Sequence, residues 1–390
     1  MFQQSRRNVL RNIKLLYLYD FFSDFRFYYP IEILYFSEIA GSYALGMMVW
    51  GVMSVSSSLF EVPTGIFSDY IGRRKTIILA SIACVMSVFC YALGLSYWFL
   101  ILGAVLQGLS RSFFSGNNEA LLHDSLKEKD MQNEYHHFHG KTNSMMQTGA
   151  AISALAGGFL AYYFSYSFVF WLSLIPLLIN LGLSFLFIEP KVKSEKSGNL
   201  YNHLGEAITL FIKNPKLRLL SFASIWAYGL GESGWLFRSA FVATIWPIWA
   251  VGIPKALGNI GAAFGFFIAG KVITKFKAIK ALLFGSIFAH TINIIAFAFV
   301  TILSPIISIL GSPIFGISET AKSTLFQKEF TDKQRATMGS LNALAGSLFF
   351  ALASYSVGYI ADLLDPAKGL LILQILMLVN IYIYWRLLKR

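Results

Sequence analysis

Two apolar runs, residues 43–67 and 76–95, are joined through the stretch Glu61-Val-Pro-Thr-Gly65-Ile-Phe-Ser-Asp69-Tyr-Ile-Gly72-Arg73-Arg74-Lys75. Each run is long enough to cross a bilayer, which needs about 20 residues at a rise of about 1.5 Å each. Read as a short polar turn, the junction forces the two helices to lie antiparallel and side by side. Three adjacent positive charges place it on the cytoplasmic side, because translocating them is costly.

The same alternation of apolar run and short polar connection recurs along the chain. It gives twelve candidate spans near 14–37, 43–67, 75–95, 97–122, 141–164, 166–188, 217–241, 248–272, 278–301, 303–327, 336–362 and 367–387. Composition agrees: the chain is 56% hydrophobic and 13% charged, with a mean hydropathy of +0.60. A soluble domain carries about 25% charged residues, so the solvent here is lipid. The net charge of +12 does not mark a nucleic-acid binder, because its distribution follows topology. Arg6, Arg7, Arg11 and Lys14 precede the first span, and Lys127, Lys129 and Lys141 flank the loop after the fourth. Lys271, Lys275, Lys277 and Lys280 follow the eighth span, and Arg386, Lys389 and Arg390 follow the last. Lys255 and Lys368 alone lie near the opposite side. Both termini are therefore expected in the cytoplasm of a multi-pass inner-membrane protein. Cys84 and Cys90 share one span and read as small packing residues, not a disulfide framework. The basic start runs into a full-length span, so no cleavable signal peptide is expected.

The pattern Gly65-x-x-x-Asp69-x-x-Gly72-Arg73-Arg74-Lys75 resembles the signature loop between the second and third spans of the major facilitator superfamily. The resemblance implies an all-α integral membrane protein of twelve transmembrane helices in two pseudo-symmetric six-helix bundles. The bundles are expected at 1–190 and 217–390, joined by a cytoplasmic linker, 191–216. Within it Leu204, Ile208, Phe211 and Ile212 have the spacing of a surface-lying amphipathic helix. An offset of 200 residues relates Gly116-x-x-Glu119 to Gly316-x-x-Glu319 and Gly158-x-x-Ala161 to Gly358-x-x-Ala361. The resemblance also implies a conformational latch of Gly65, Asp69, Gly72, Arg73 and Asp124. In it Asp69 faces the positive start of the eleventh span and Arg73 reaches Asp124. Gly149, Gly157 and Gly158 fit the antiporter packing motif of the fifth span, counted from Gly140, although Ser153-Ala154 stands where the motif has Gly-Pro. These glycines are expected to let a helix of the other half approach closely. The match leans toward the drug–proton antiporter branch. Proton-coupled members have an Arg three residues before the Gln107-Gly108 pair, where this chain has Ala104; Arg111 lies two turns further on.

Charged side chains inside spans are costly and normally face a cavity or a partner. Asp20 and Asp24 are four residues apart and share a helix face. Arg26, about 200° round from Asp24 on a continuous helix, is not expected to pair with it, and Pro30 is expected to kink the outer third. In the seventh span Glu232 lies among glycines beside Trp226, Tyr228 and Trp235, as in a bent helix offering π faces to a solute. Arg238, near its outer end, reads as a snorkelling side chain. The expected cavity residues are thus Asp20, Arg26, Arg111, Asn117, Trp226, Tyr228 and Trp235, with Asp24 and Glu232 for proton coupling. His136, His137 and His139 fit no closed ligand set and read as a solvated loop, so no metal is expected. No phosphate-binding glycine loop is present, and neither enzyme chemistry nor a cofactor is expected.

The expected function is secondary transport of a small organic solute by a monomer. Seven acids inside or at the ends of spans, against three arginines, favour proton-coupled efflux of a cationic or amphipathic compound. The competing readings are uptake of an organic anion or zwitterion held by Arg26 and Arg111, and a membrane sensor or scaffold that does not transport.

Overall fold

The computed structural model describes residues 2–128, 130–131, 134–190, 211, 214–329 and 332–389, with side chains except for 2–10, 136, 327–338 and 340. The described residues form helices joined by short turns. In chain order these are α1 (Phe2–Ser23), α2 (Glu32–Ala40), α3 (Tyr43–Ile71), α4 (Arg73–Leu93), α5 (Tyr97–Phe114), α6 (Asn117–Lys127), α7 (Tyr135–Tyr163) and α8 (Tyr166–Leu186). There follow α9 (Pro215–Ala243), α10 (Gly252–Phe276), α11 (Ala278–Ala298), the single turn α12 (Ser304–Ile307), α13 (Ser312–Glu329), α14 (Asp332–Leu363) and α15 (Pro366–Leu388). Among the described residues eight helical segments are long and apolar enough to cross a membrane. The other four expected spans are helical too. Of these, the first and tenth are interrupted, while the fifth and seventh, α7 and α9, carry more polar side chains.

Local chemistry sets several helix starts. Asn214 accepts from the N–H groups of Lys216 and Leu217 at 3.1 and 3.2 Å, with Pro215 in the first helical position. Asp365 accepts from Lys368 N–H at 2.8 Å, again with a proline, Pro366, next in sequence. Both place a side-chain acceptor on an orphan donor, and the proline where its missing N–H costs nothing.

The chain forms two compact units, one of residues 1–35 and 52–196, the other of residues 36–51 and 197–390. In the first, Ile13, Leu16, Tyr19, Ile77, Leu121, Leu122, Leu126 and Phe187 make a buried apolar cluster. Asn12 fastens it by donating to Ser125 Oγ at 3.1 Å and to Ile188 O at 2.9 Å. In the second, Leu220, Leu282, Ala321, Ile383 and Leu387 anchor the corresponding cluster. The start of α3 belongs to this second unit: Asp362 accepts from the N–H groups of Tyr43 and Ala44. The surface helix expected within 191–216 lies almost wholly outside the described residues.

The first span departs most from expectation. Helix α1 ends at Ser23 and regular helix resumes only at Glu32, so the interruption begins well before Pro30. Proline disfavours helical backbone at the residue before it and supplies no donor, and the break spreads back to Asp24. Span 4 is interrupted at Gly116, which adopts φ +72°, a left-handed conformation that glycine tolerates best.

Candidate functional site

The signature stretch is more helical than a polar turn. Helix α3 runs through Pro63 and Asp69 to Ile71, α4 starts at Arg73, and Gly72 alone separates them. Gly72 has φ +93°, and a Cβ there would meet the Glu189 carboxyl group, so both the backbone and the space require glycine. Glu189 was not singled out from sequence. Its two oxygens accept from Arg73 N–H and Arg74 N–H at 2.7 Å each. A carboxylate on the first donors of α4 satisfies orphan groups and meets the positive end of the helix.

Arg73 is the hub of this corner. It lies 3.2 Å from Asp69 and 4.0 Å from Asp124. Its Nη1 donates to Ser68 Oγ at 3.0 Å and to Asn117 Oδ1 at 3.2 Å. Asp69, Arg73 and Asp124 are thus brought together; Gly65, one turn before Asp69, faces open space. The Asp69 contact expected at the start of the eleventh span falls on side chains outside the described ones. Asn117, expected in the substrate cavity, meets Arg73 and Ser68 here. It is buried and belongs to this corner, because the turn at Gly116 lets its Nδ2 donate to Phe113 O at 2.6 Å.

One polar cluster lies in the interior of the same unit. Asp20 is 7% exposed and accepts from Asn118 Nδ2 at 3.0 Å. Arg26 approaches Asp24 at 3.9 Å, which corrects the expectation that they cannot pair. The 200° separation assumed a continuous helix, and the chain is not helical there. Arg26 Nε also donates to Ser23 O at 2.9 Å, satisfying a carbonyl freed at the end of α1. Arg111 does not join this cluster: it is exposed, in the last turn of α5. Gly149 and Gly157 press against the carbonyl oxygens of Phe21 and Phe27, where a Cβ would collide, and Gly158 is buried beside them. The packing partner of Gly149 and Gly157 is the interrupted first span of their own unit. The free carbonyls of that interruption need such small neighbours.

The second unit carries a cavity of about 500 Å³. Tyr228, Glu232 and Trp235 line it. Trp226 does not. Its Nε1 donates to Leu376 O at 2.9 Å and its ring stacks on Phe349 with centroids 4.9 Å apart. Arg238 lines the cavity and does not snorkel outward; its guanidinium sits 5.6 Å from the Trp235 ring and 5.9 Å from Phe297. His290, Asn293, Gln374 and Asn380 also line it and are buried; sequence reasoning passed them over. The legible signal was two pairs of polar residues, three and six apart, inside apolar spans. Glu319, which repeats Glu119 at the offset of 200, pairs with Lys322 on the same wall, whereas Glu119 itself is exposed.

Residues 16–354 match the family described as Major Facilitator Superfamily. The chain is 24% identical over 213 residues to a Na(+), Li(+), K(+)/H(+) antiporter of Planococcus maritimus, covering 51% of this chain and 48% of that protein. It is also 24% identical over 279 residues to the class B tetracycline resistance protein of Escherichia coli, covering 70% of this chain and 66% of that one. The chain thus spans less than two thirds of either relative. A solved structure of a mutant of the nucleoside transporter NupG superposes with a TM-score of 0.83 at 11% identity, covering 96% of this chain and 99% of that one. At that identity the likeness is one of fold. The solutes these proteins are named for differ in size and charge.

Proposed function

This chain belongs to the Major Facilitator Superfamily, and on that premise we propose that it is a proton-coupled secondary transporter of a small organic solute. It works by alternating access across the cytoplasmic membrane, with both termini inside. The observation that carries proton coupling is Asp20. Its carboxyl group is buried against a neutral amide, and among the described residues no cation lies within ion-pair distance of it. Asp24, one turn on, has Arg26 as its counter-charge. Of this pair Asp20 is therefore the carboxylate whose charge is less compensated, and a proton or a cationic solute would each relieve it. Competition between the two for one carboxylate is the logic of exchange, and it supports efflux of a cationic or amphipathic compound. In this reading the Asp69–Arg73–Asp124 corner, with Glu189, acts as the cytoplasmic latch.

A second reading, uptake of an organic anion or zwitterion, is favoured by Arg238 in the cavity of the other unit. Purified protein in proteoliposomes, assayed on a solute panel with and without a pH gradient, separates the two. Accumulation driven by the gradient should vanish in Asp20→Asn while counterflow exchange survives. Gradient-driven transport that persists in Asp20→Asn but is lost in Asp24→Asn or Glu232→Gln would move the coupling site. A protein that transports nothing on the panel, with or without the gradient, would point to the sensor or scaffold reading.

A further inference from the structure

We propose that the cavity of the second unit is a binding site for a small organic acid whose body carries hydroxyl or amino donors. Arg238 would hold the carboxylate. The inference rests on the transporter reading, and specifically on its anion or zwitterion branch.

The charge at the site comes first. Arg238 Nε is buried with no hydrogen-bond partner, and among the described residues no carboxylate lies within ion-pair distance of the guanidinium. The other cation on the wall, Lys322, already has Glu319. Arg238 thus carries an uncompensated charge at the edge of a cavity in a lipid-embedded bundle, a costly arrangement unless an anion completes it. The rings of Trp235 and Phe297 attract the guanidinium without neutralising it. Lys255 lines an adjoining crevice with Trp235 and Arg238. A planar guanidinium fork matches a carboxylate in two parallel hydrogen bonds.

The neutral polar part of the lining selects for donors. Asn293 and Asn380 line the cavity, and the Oδ1 of each is buried without a hydrogen-bond partner. An asparagine amide turns readily about χ2, a broad torsion, so each acceptor can swing toward the cavity when a ligand offers O–H or N–H. His290 and Gln374 are joined at 2.9 Å between Nδ1 and Oε1; with Nδ1 donating to the amide oxygen, Nε2 of the neutral ring is left as a further acceptor. A purely apolar anion would leave these acceptors unmet. A cavity of about 500 Å³ lies within the range of small-molecule sites, about 300–1,000 Å³. A sugar acid and an ω-amino acid share the required chemistry.

The test is equilibrium binding to the purified full-length protein, read by quenching of tryptophan fluorescence. The probes are gluconate, 6-aminohexanoate, the neutral polyol glucitol and the cation tetraphenylphosphonium. Gluconate or 6-aminohexanoate should bind saturably and at least about tenfold more tightly than glucitol, about the ratio one charge-assisted contact supplies. Which of the two binds tells a hydroxylated body from an amino-bearing one. Arg238→Gln should lose that preference, Arg238→Lys should keep part of it, and Asn380→Leu should weaken binding several-fold. If Arg238→Gln fails to fold, protection of Arg238 in the native protein from phenylglyoxal by the same acid, read by peptide mass spectrometry, replaces it. Tighter binding of tetraphenylphosphonium than of either acid, saturable acid binding unchanged in Arg238→Gln, or no binding by either acid overturns the proposal. Binding in detergent is read without flux, so acid binding with no transport in proteoliposomes would count against the transporter reading alone, and loss of binding against this site.

Discussion

Asp362 accepts from the backbone N–H of Tyr43 at 2.7 Å through one carboxylate oxygen, and from Ala44 N–H at 2.9 Å through the other. Residues 36–51 belong to the second compact unit, and this carboxylate, near the end of α14, caps the start of α3. It meets both the orphan donors and the positive pole of that helix. Removing it in Asp362→Ala should destabilise the first turn of α3 by about 1–2 kcal/mol. Hydrogen exchange of peptides covering residues 36–51 should speed up selectively. Unchanged protection there would mean that packing alone holds the segment.

The corner around Arg73 makes a second prediction. Arg73→Ala removes contacts to Asp69, Asp124, Ser68 and Asn117, and Glu189→Ala removes the acceptors on the first turn of α4. Each variant should insert and fold, yet transport at least about tenfold more slowly, about 1.4 kcal/mol on the barrier, with solute affinity nearly unchanged. A collapse of affinity without any shift in conformational distribution would take the latch assignment away.

Two glycines of α7 should behave in opposite ways. A methyl group at Gly157 would collide with Phe27 O, whereas Gly140 has open space around it. Gly157→Ala should therefore cost about 1–3 kcal/mol by overpacking. Gly140→Ala should be neutral or stabilising by up to about 1 kcal/mol through helix propensity. Thermal unfolding in one detergent, run side by side, checks the pair; equal midpoints would contradict the close approach.

Asp365, in the connection before α15, gives a pH prediction. Burial opposes its ionisation, but hydrogen bonds from the Lys368 backbone and ammonium, with the charge of that lysine, win and hold the carboxyl below its ordinary value of 3.8. A depressed carboxyl contributes stability that is present above its unfolded value and lost as pH falls through the folded one. The start of α15 should thus stay intact at neutral pH and loosen only in acid, below the carboxyl's ordinary value of 3.8. Asp365→Asn should keep the cap and abolish that acid step, which hydrogen exchange of residues 366–372 at stepped pH would reveal.

Much of this was legible in the residues. The apolar runs and basic connections announced a helical membrane protein, and the family resemblance of the signature stretch pointed to Asp69, Arg73 and Asp124, which meet at one corner. What stayed hidden depends on where helices stop. Placing Arg26 by counting degrees from Asp24 failed because the helix had already ended at Ser23. Asn117 reaches the Arg73 corner because a left-handed glycine redirects the chain just before it. His290, Asn293, Gln374 and Asn380 were passed over for a different reason: attention went to charges, and neutral polar groups in apolar spans meet only once the bundle is assembled. Glu189 caps a helix more than a hundred residues earlier in the chain, a contact no local pattern announces.

The single residue between α3 and α4 leaves no slack. A connection of several residues can absorb an insertion by bulging, but Gly72 has nothing beside it that can bulge. One residue added there would turn α4 by about 100° relative to α3 and carry its buried stripe, including Ile77, Ala80, Cys84 and Val88, round toward lipid. The rotational phase of two membrane helices is thus locked across one peptide unit. Length at this position should be as strictly held as the identity of the residue itself.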